Sequence, residues 1–346
     1  MTATAVEHRA APRERPTRTR VERAVVVGAG SVGRRHLRNL AALGIDAIVL
    51  RSGAGRTDDV GGWRSVRRWA DVAAFAPEIA IVANPTALHL PAALAAVRAG
   101  CHVLVEKPVS HTLDGLDALA AEVEARGLTA IVGYQFRFHP TLALVRDWIV
   151  DGWIGEVVFA QAHWGEYLPG WHPGEDYRLG YSARADLGGG VVRTLSHPLD
   201  YLRWLLGEVR AVAALSTRRS GLAIDVEDVA AVTLQLASGA LGTVTLNYAE
   251  RPPRHALSIV GTDGTVHWSA ADGVARCWRA SPEGWTTATP GASFERNALF
   301  VAELEHFVAC VEGRAEPRCT LADGVRALAL SLAALQAGRE RRVVDV

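Results

Sequence analysis

The stretch "AVVVGAGSVGRRHLRNLAALG", residues 24–44, constrains the fold of this chain more than any other. Its first part is a short, β-branched, wholly apolar run ending in glycines, as a strand buried on both faces must read. Its second part carries Val32, Leu37, Leu40 and Leu43 at helical spacing and stops at Gly44. Between them lies a GxGxxG string formed by Gly28, Gly30 and Gly33. Alone that string is weak; between a strand and a helix it is specific. Gly28 permits the tight turn, Gly30 lets a pyrophosphate approach the backbone, and Gly33 lets helix and strand pack closely. The helix start at Ser31 and Val32 offers free amides and a positive dipole end to phosphates. The segment reads as a dinucleotide site.

The alternation continues. "DAIVLRS", "EIAIVANP", "HVLVEKP" and "TAIVGY" read as further buried strands, with "TALHLPAALAAVRAG" and "LDGLDALAAEVEARG" as helices among them. This predicts an α/β fold whose N-terminal part, residues 23–133, is a Rossmann domain built on a doubly wound parallel sheet. Past Gly133 the pattern changes. "VAAVTLQLASGALGTVTLNYAE" and "HALSIVGTDGTVHWSA" read as hairpins about Ser238-Gly239 and Asp263-Gly264. Residues 134–346 are expected to form a C-terminal α+β domain with a large, mainly antiparallel sheet, closed by helices over 299–311 and 321–336. Its 346 residues suffice for two cores, since single cores rarely grow past ~250–300 residues. Residues 1–22, rich in Arg and Pro with no apolar stretch, read as a disordered tail.

Composition narrows the partners. The formal net charge is zero, so no global field favours nucleic acid. No apolar run approaches the ~20 residues that cross a membrane. The four cysteines lack metal-ligand spacing, which predicts free thiols in a reducing cytoplasm and no metal site. One face of the antiparallel sheet has no helix in the sequence to cover it. Assembly through that sheet into a homodimer or homotetramer is therefore expected.

Lys107, in "HVLVEKPVS", is the only lysine among 37 lysines and arginines. Arginine stays charged, whereas a lysine amine can lose its proton when buried. A lone lysine points to a proton that moves. At the end of the second strand, where an acidic residue would hold the ribose of NAD, stand Arg51 and Ser52. Arg51 suits a 2′-phosphate, so NADP(H) is favoured, with NAD(H) the alternative.

With these residues placed, the chain resembles the Gfo/Idh/MocA family of sugar and cyclitol oxidoreductases. "VVVGAGSVGRRHLRNL", "VANPTALHLPAALAAVRAGCHVLVEKPVS" and "GGGVVRTLSHPLDYLRWLLG" carry the likeness, which extends from Val25 to the C-terminus. The resemblance implies that Lys107, within Glu106-Lys107-Pro108, sits beside the nicotinamide and contacts the hydroxyl being oxidised. It implies that Asn84, Pro85 and His89 run along the cofactor and that His197 is the family's histidine after the GGG turn. Thr194 stands where the family usually has an aspartate, so the Lys-Asp-His proton relay lacks its carboxylate. Asp200, three residues beyond His197 on one helical face, is placed to orient the imidazole. His197 is assigned acid/base and Lys107 polariser and relay, or the reverse. Tyr134, Gln135 and Arg137 at the domain junction, and His163, Trp164, Tyr177 and Arg178 in an aromatic-rich segment, are expected to meet substrate. Arg137 or Arg178 is a candidate for a substrate phosphate. His36, His111, His255, His267 and His306 read as structural or exposed.

These readings predict hydride transfer between a nicotinamide and a secondary hydroxyl or keto group of a sugar, amino sugar or cyclitol. Biosynthesis of a modified sugar or an antibiotic is one setting for it. The alternatives are redox-assisted glycoside cleavage and a non-catalytic NADP(H)-binding sensor.

Overall fold

The computed structural model describes residues 20–52 and 60–346; residues 1–19 of the expected tail lie outside the described residues. Order begins before Arg23, because Val21 is buried and its amide donates to Glu312 Oε1 at 3.3 Å.

The first sheet has six parallel strands: β1 (Arg23–Val27), β2 (Asp46–Leu50), β3 (Ser65–Val66), β4 (Ile79–Val82), β5 (His102–Glu106) and β6 (Ala130–Gly133). Their order is β3-β2-β1-β4-β5-β6. Strand order reverses between β1 and β4, and ligands of such sheets bind at that switch point, beyond the strands' carboxyl ends. Helices α1 (Ser31–Ala42), α2 (Trp69–Phe75), α3 (His89–Arg98) and α4 (Leu116–Ala125) connect the strands. β3 and α2 escape the sequence reading: two residues carry no alternation, and a seven-residue helix carries little periodicity.

After α5 (Pro140–Val150) comes a nine-stranded sheet: β7 (Val157–Gly165), β8 (Val209–Thr217), β9 (Val229–Leu236), β10 (Leu241–Asn247), β11 (Arg254–Gly261), β12 (Gly264–Ser269), β13 (Ala275–Ala280), β14 (Glu283–Ala288) and β15 (Val344–Asp345). The order is β14-β13-β12-β11-β7-β10-β9-β8-β15, antiparallel except between β7 and β10. The two expected hairpins are β9–β10 and β11–β12. Ala160, Ala162 and Trp164 of β7 face a core shared with α5, with α7 (His197–Leu206) and with α9 (Leu321–Glu340). Gln161 and His163, the alternate residues, take the opposite face.

Two helices bring the chain back to the first sheet. Leu304, Phe307 and Val311 of α8 (Arg296–Val311) pack with Val26, Ile81 and Leu104. α9 starts at a capping box in which Thr320 Oγ1 accepts from the Asp323 amide and Asp323 Oδ2 from the Thr320 amide. Its Leu321 and Leu328 then join the core of the parallel sheet, and Leu330, Ala334 and Ala337 that of the nine-stranded one. Among the described residues no helix is long and apolar enough to cross a membrane.

Candidate active site

The glycine turn closes toward the protein and opens outward. Gly28 has φ +101°, and a Cβ there would lie 2.8 Å from Asn84 Cα, so only glycine fits beside the loop after β4. A Cβ on Gly33 would strike the Gly28 carbonyl oxygen, whereas one on Gly30 would meet nothing within 4 Å. The open side at Gly30 and the first amides of α1, at Ser31 and partly buried Val32, make a cradle fit for a dinucleotide pyrophosphate. A loop from the other half of the chain reaches the same place: His172 lies 3.5 Å from Ser31 Oγ, and Glu175 is 3.9 Å from Arg34. Arg51, after β2, is buried, and Ser52 is exposed.

Asn84 and Pro85 follow β4 into this crevice; the Asn84 amide group donates to Leu88 O at 3.1 Å. His89 does not face the crevice as expected. Its Nδ1 is 2.8 Å from Pro108 O and its Nε2 2.8 Å from Asn84 O, so both edges of the ring face main-chain carbonyls, and whichever nitrogen carries the proton donates to one of them. The ring ties the loop after β4 to the loop after β5, which makes it a positioning residue.

β5 delivers Glu106 and Lys107 at its carboxyl end. Glu106 is buried; its Oε1 accepts from His36 Nε2 at 2.8 Å and its Oε2 from the Lys107 amide at 3.3 Å. These bonds and charges hold it below the usual carboxylate range despite burial. The Lys107 amine reaches across the chain and donates to Thr194 O at 2.6 Å. Burial lowers its pKa to about 8; Glu106 opposes the shift and Arg296 adds to it. Thr194, at the end of the short helix α6 (Val191–Thr194), thus meets the amine through its main chain.

His197 opens α7 and is 1% exposed, with neither ring nitrogen hydrogen-bonded among the described residues. Aromatic rings surround it: Phe136 at 4.8 Å, Tyr134 at 5.4 Å and Trp164 at 5.6 Å between centroids. Burial first, then the charge of Lys107, hold this imidazole well below its ordinary value. It is therefore neutral at working pH. Tyr134 Oη lies 3.3 Å from Ser196 Oγ, and Gln135 is buried alongside.

Other expectations are also corrected. Asp200 does not orient His197: both its oxygens accept from Arg137, at 2.7 and 3.0 Å. Arg137 also donates to Arg318 O at 2.7 Å, so its guanidinium is committed to protein partners and braces the core. Burial opposes its charge, but Asp200 more than offsets that and keeps the guanidinium protonated. His163 lies on the far face of the sheet from Trp164, bound to Glu250 at 2.5 Å and Thr245 at 2.6 Å. Arg178 pairs with Asp176 at 2.7 Å and lines a separate surface hollow with Arg184 and Arg218. Tyr177 accepts there from the Ala223 amide at 3.2 Å.

Two histidines read as structural or exposed, His36 and His255, and one acid given no role, Glu303, stand beside the site. His36 holds Glu106; its signal was an imidazole three residues past Gly33, on the helix that begins at the turn. His255 stacks on Trp164 at 4.5 Å and is pushed down to about 3 by burial. Glu303, an acid on the apolar face of α8, is fully buried with both oxygens unpartnered among the described residues, and burial raises its pKa well above the ordinary value.

The family models match on both sides of the site. "Oxidoreductase family, NAD-binding Rossmann fold" covers residues 22–134, and "GFO/IDH/MocA C-terminal domain" covers residues 142–267. Levoglucosan dehydrogenase of Pseudarthrobacter phenanthrenivorans is 28% identical over 59% of this chain, a match that spans 57% of that protein's length. The 1,5-anhydro-D-fructose reductase of Ensifer adhaerens is 28% identical over 77% of this chain and 78% of its own. Among solved structures, levoglucosan dehydrogenase in complex with NADH superposes with a TM-score of 0.84 at 20% identity, covering 94% of this chain and 99% of that one. GenD2 from gentamicin A biosynthesis, in complex with NAD, gives 0.79 at 25% identity over 99% of both chains. NAD(H) is the cofactor in both structures, and the lean toward NADP(H) finds no support.

Proposed function

The chain belongs to the GFO/IDH/MocA family of oxidoreductases, and on that premise we propose that it interconverts a secondary alcohol and a ketone on a sugar, amino sugar or cyclitol with NAD(H). When bound along Gly28, Gly30, Ser31 and Asn84, the nicotinamide dinucleotide supplies the hydride acceptor or donor. Lys107 is the acid/base. The observation that carries this role is its amine, 2.6 Å from Thr194 O, beside a neutral His197. A main-chain carbonyl orients the amine without adding a negative charge that would hold its proton. With burial lowering it to about 8, the amine takes a hydroxyl proton at pH 8 and, protonated, returns one to a ketone below that pH.

His197 does not carry the proton. One of its open ring nitrogens hydrogen-bonds the substrate oxygen and fixes which hydroxyl faces Lys107. Tyr134 and Trp164 offer apolar faces to the sugar ring. Glu106, fixed by His36, sets the strand end from which Lys107 projects. The likeness to a protein of gentamicin A biosynthesis supports amino sugars and cyclitols as substrates to screen first. The bare face of the nine-stranded sheet, with Gln161, His163 and His267, supports a homodimer or homotetramer assembled through it.

The test is NADH formation against a panel of sugars, amino sugars and cyclitols by wild type and Lys107→Met. Turnover lost in the variant while NADH still binds supports the assignment. Equal turnover in both removes Lys107 from the chemistry, and no turnover by wild type on any member favours a nucleotide-binding sensor.

A further inference from the structure

The stretch "WHPGEDY", residues 171–177, has no task in the reaction above. It folds as a tight turn. Pro173 and Gly174 take the two central places, the Glu175 amide donates to His172 O at 3.0 Å, and Gly174 has φ +85°. A positive φ at the second central place, after a proline at the first, is what a type II turn requires. The closure brings the ends of the turn, His172 and Glu175, next to each other.

Both flanks of this turn are rooted in the nine-stranded half of the chain. On one side the Glu166 and Leu168 amides donate to Asn247 O and Tyr248 O at 3.0 and 3.1 Å, and the Trp171 ring meets Tyr248 edge-on at 5.6 Å. On the other, Asp176 accepts from the Arg178 amide at 3.0 Å, and the Tyr177 hydroxyl accepts from the Ala223 amide at 3.2 Å. The tip crosses to the parallel sheet's half, where its spacing matches that of α1. His172 Nε2 lies 3.5 Å from Ser31 Oγ, and Glu175 lies 3.9 Å from Arg34, one helical turn farther along the same face.

Ser31 is the first residue of α1, beside the open side at Gly30. No acid stands in the first turn of this helix, so its free amides and positive end are left for an anion. An imidazole bonded to Ser31 therefore sits at the rim of the diphosphate cradle. The contacts that hold it there are weak. A separation of 3.5 Å is at the outer limit of a hydrogen bond, and an exposed ion pair at 3.9 Å is worth little. A turn held firmly at its roots and loosely at its tip can lift and settle.

We propose that residues 172–175 form a strap over the bound dinucleotide, in which His172 donates a hydrogen bond to the diphosphate and the Glu175–Arg34 pair latches the turn, so that the nucleotide leaves only when the strap lifts. The proposal rests on the glycine turn as the NAD(H) site and is independent of which substrate the pocket takes. It gives the two halves of the chain a shared hold on the cofactor, and it makes nucleotide exchange a step that the strap slows.

The fluorescence of bound NADH tests this on the full chain. The loaded protein is mixed with excess NAD+ in a stopped-flow cell, and the rate of NADH release is read for wild type, His172→Ala, His172→Gln and Glu175→Gln. His172→Ala should speed release about ten- to a hundredfold, the worth of a hydrogen bond to a charged group, and His172→Gln, which keeps a donor, should recover part of that. Glu175→Gln should speed it by up to about fivefold, the worth of an exposed ion pair. Calorimetry with ADP-ribose, which keeps the diphosphate and lacks the nicotinamide, should show the same loss of affinity in His172→Ala as NADH does. Release unchanged in His172→Ala overturns the strap. NADH weakened with ADP-ribose unaffected also overturns it and places the residue at the nicotinamide. Release speeded by His172→Ala but not by Glu175→Gln overturns the latch. If wild type binds neither NADH nor ADP-ribose, the dinucleotide reading fails and takes the strap with it.

Discussion

Two cations, Arg137 buried and Lys107 half-buried, reach the stretch from α6 to α7, the first from the loop after β6 and the second from the loop after β5, and they meet it in opposite ways. Arg137 finds Asp200 and forms a two-point ion pair, with Asp323 a further 3.5 Å contact. Lys107 finds only the main-chain oxygen of Thr194. The first pair is permanently charged and structural. In the second, a neutral acceptor leaves the amine free to titrate near pH 8. What separates a brace from a reactive group here is the charge of the partner.

The same substitution at both positions should therefore give opposite phenotypes. Arg137→Met strands the Asp200 carboxylate in the core and is expected to cost ~3–5 kcal/mol of stability in urea denaturation. Lys107→Met removes a desolvated cation without orphaning an anion, so its stability should match or exceed wild type. Its kcat should nevertheless fall by ~10²–10⁴, the usual worth of a positioned acid/base. A Lys107→Met protein as unstable as Arg137→Met would erase the distinction.

A smaller effect sharpens it. In Arg137→Met with Asp200→Leu, neither charge of the pair remains, and most of the stability lost in the single variant should return. Failure to recover would assign the cost to packing rather than charge.

The smallest expected effect is a pH dependence. For the oxidation, the amine must be unprotonated, so kcat should rise about tenfold per pH unit below about 8 and level off above it. The reduction needs the ammonium form, so its kcat should be level below about 8 and fall above. A rate of oxidation that is flat from pH 6 to 9 would sink the assignment of Lys107 as base.

The parts of this molecule written in local sequence were legible in advance. The glycine turn, the apolar strands around it and the two hairpins all rest on spacing within a few residues. β13 and β14 were missed because Arg276, Trp278, Arg279 and Trp285 blur the alternation of an edge hairpin. In the site, Lys107 announced itself by being unique. The i+3 spacing rightly put Asp200 on the helix face of His197, yet it could not foretell that Arg137, 63 residues earlier, would arrive to claim it. His163 and Trp164 were grouped by composition, although neighbours on a strand point to opposite faces. That signal was present in the sequence and was outweighed by the density of aromatics around it.

The return of α8 and α9 to the first sheet makes the nucleotide-side layer something other than a detachable cassette. α9 has 20 residues, a rod of ~30 Å at the usual rise per turn, and it lends side chains to both cores along that length. A fragment ending at Gly133 would lack its last layer of packing, and grafts between relatives would have to carry head and tail together. Any rocking of one sheet over the other must bend or slide along this shared strut, which couples opening of the crevice to the far end of the polypeptide.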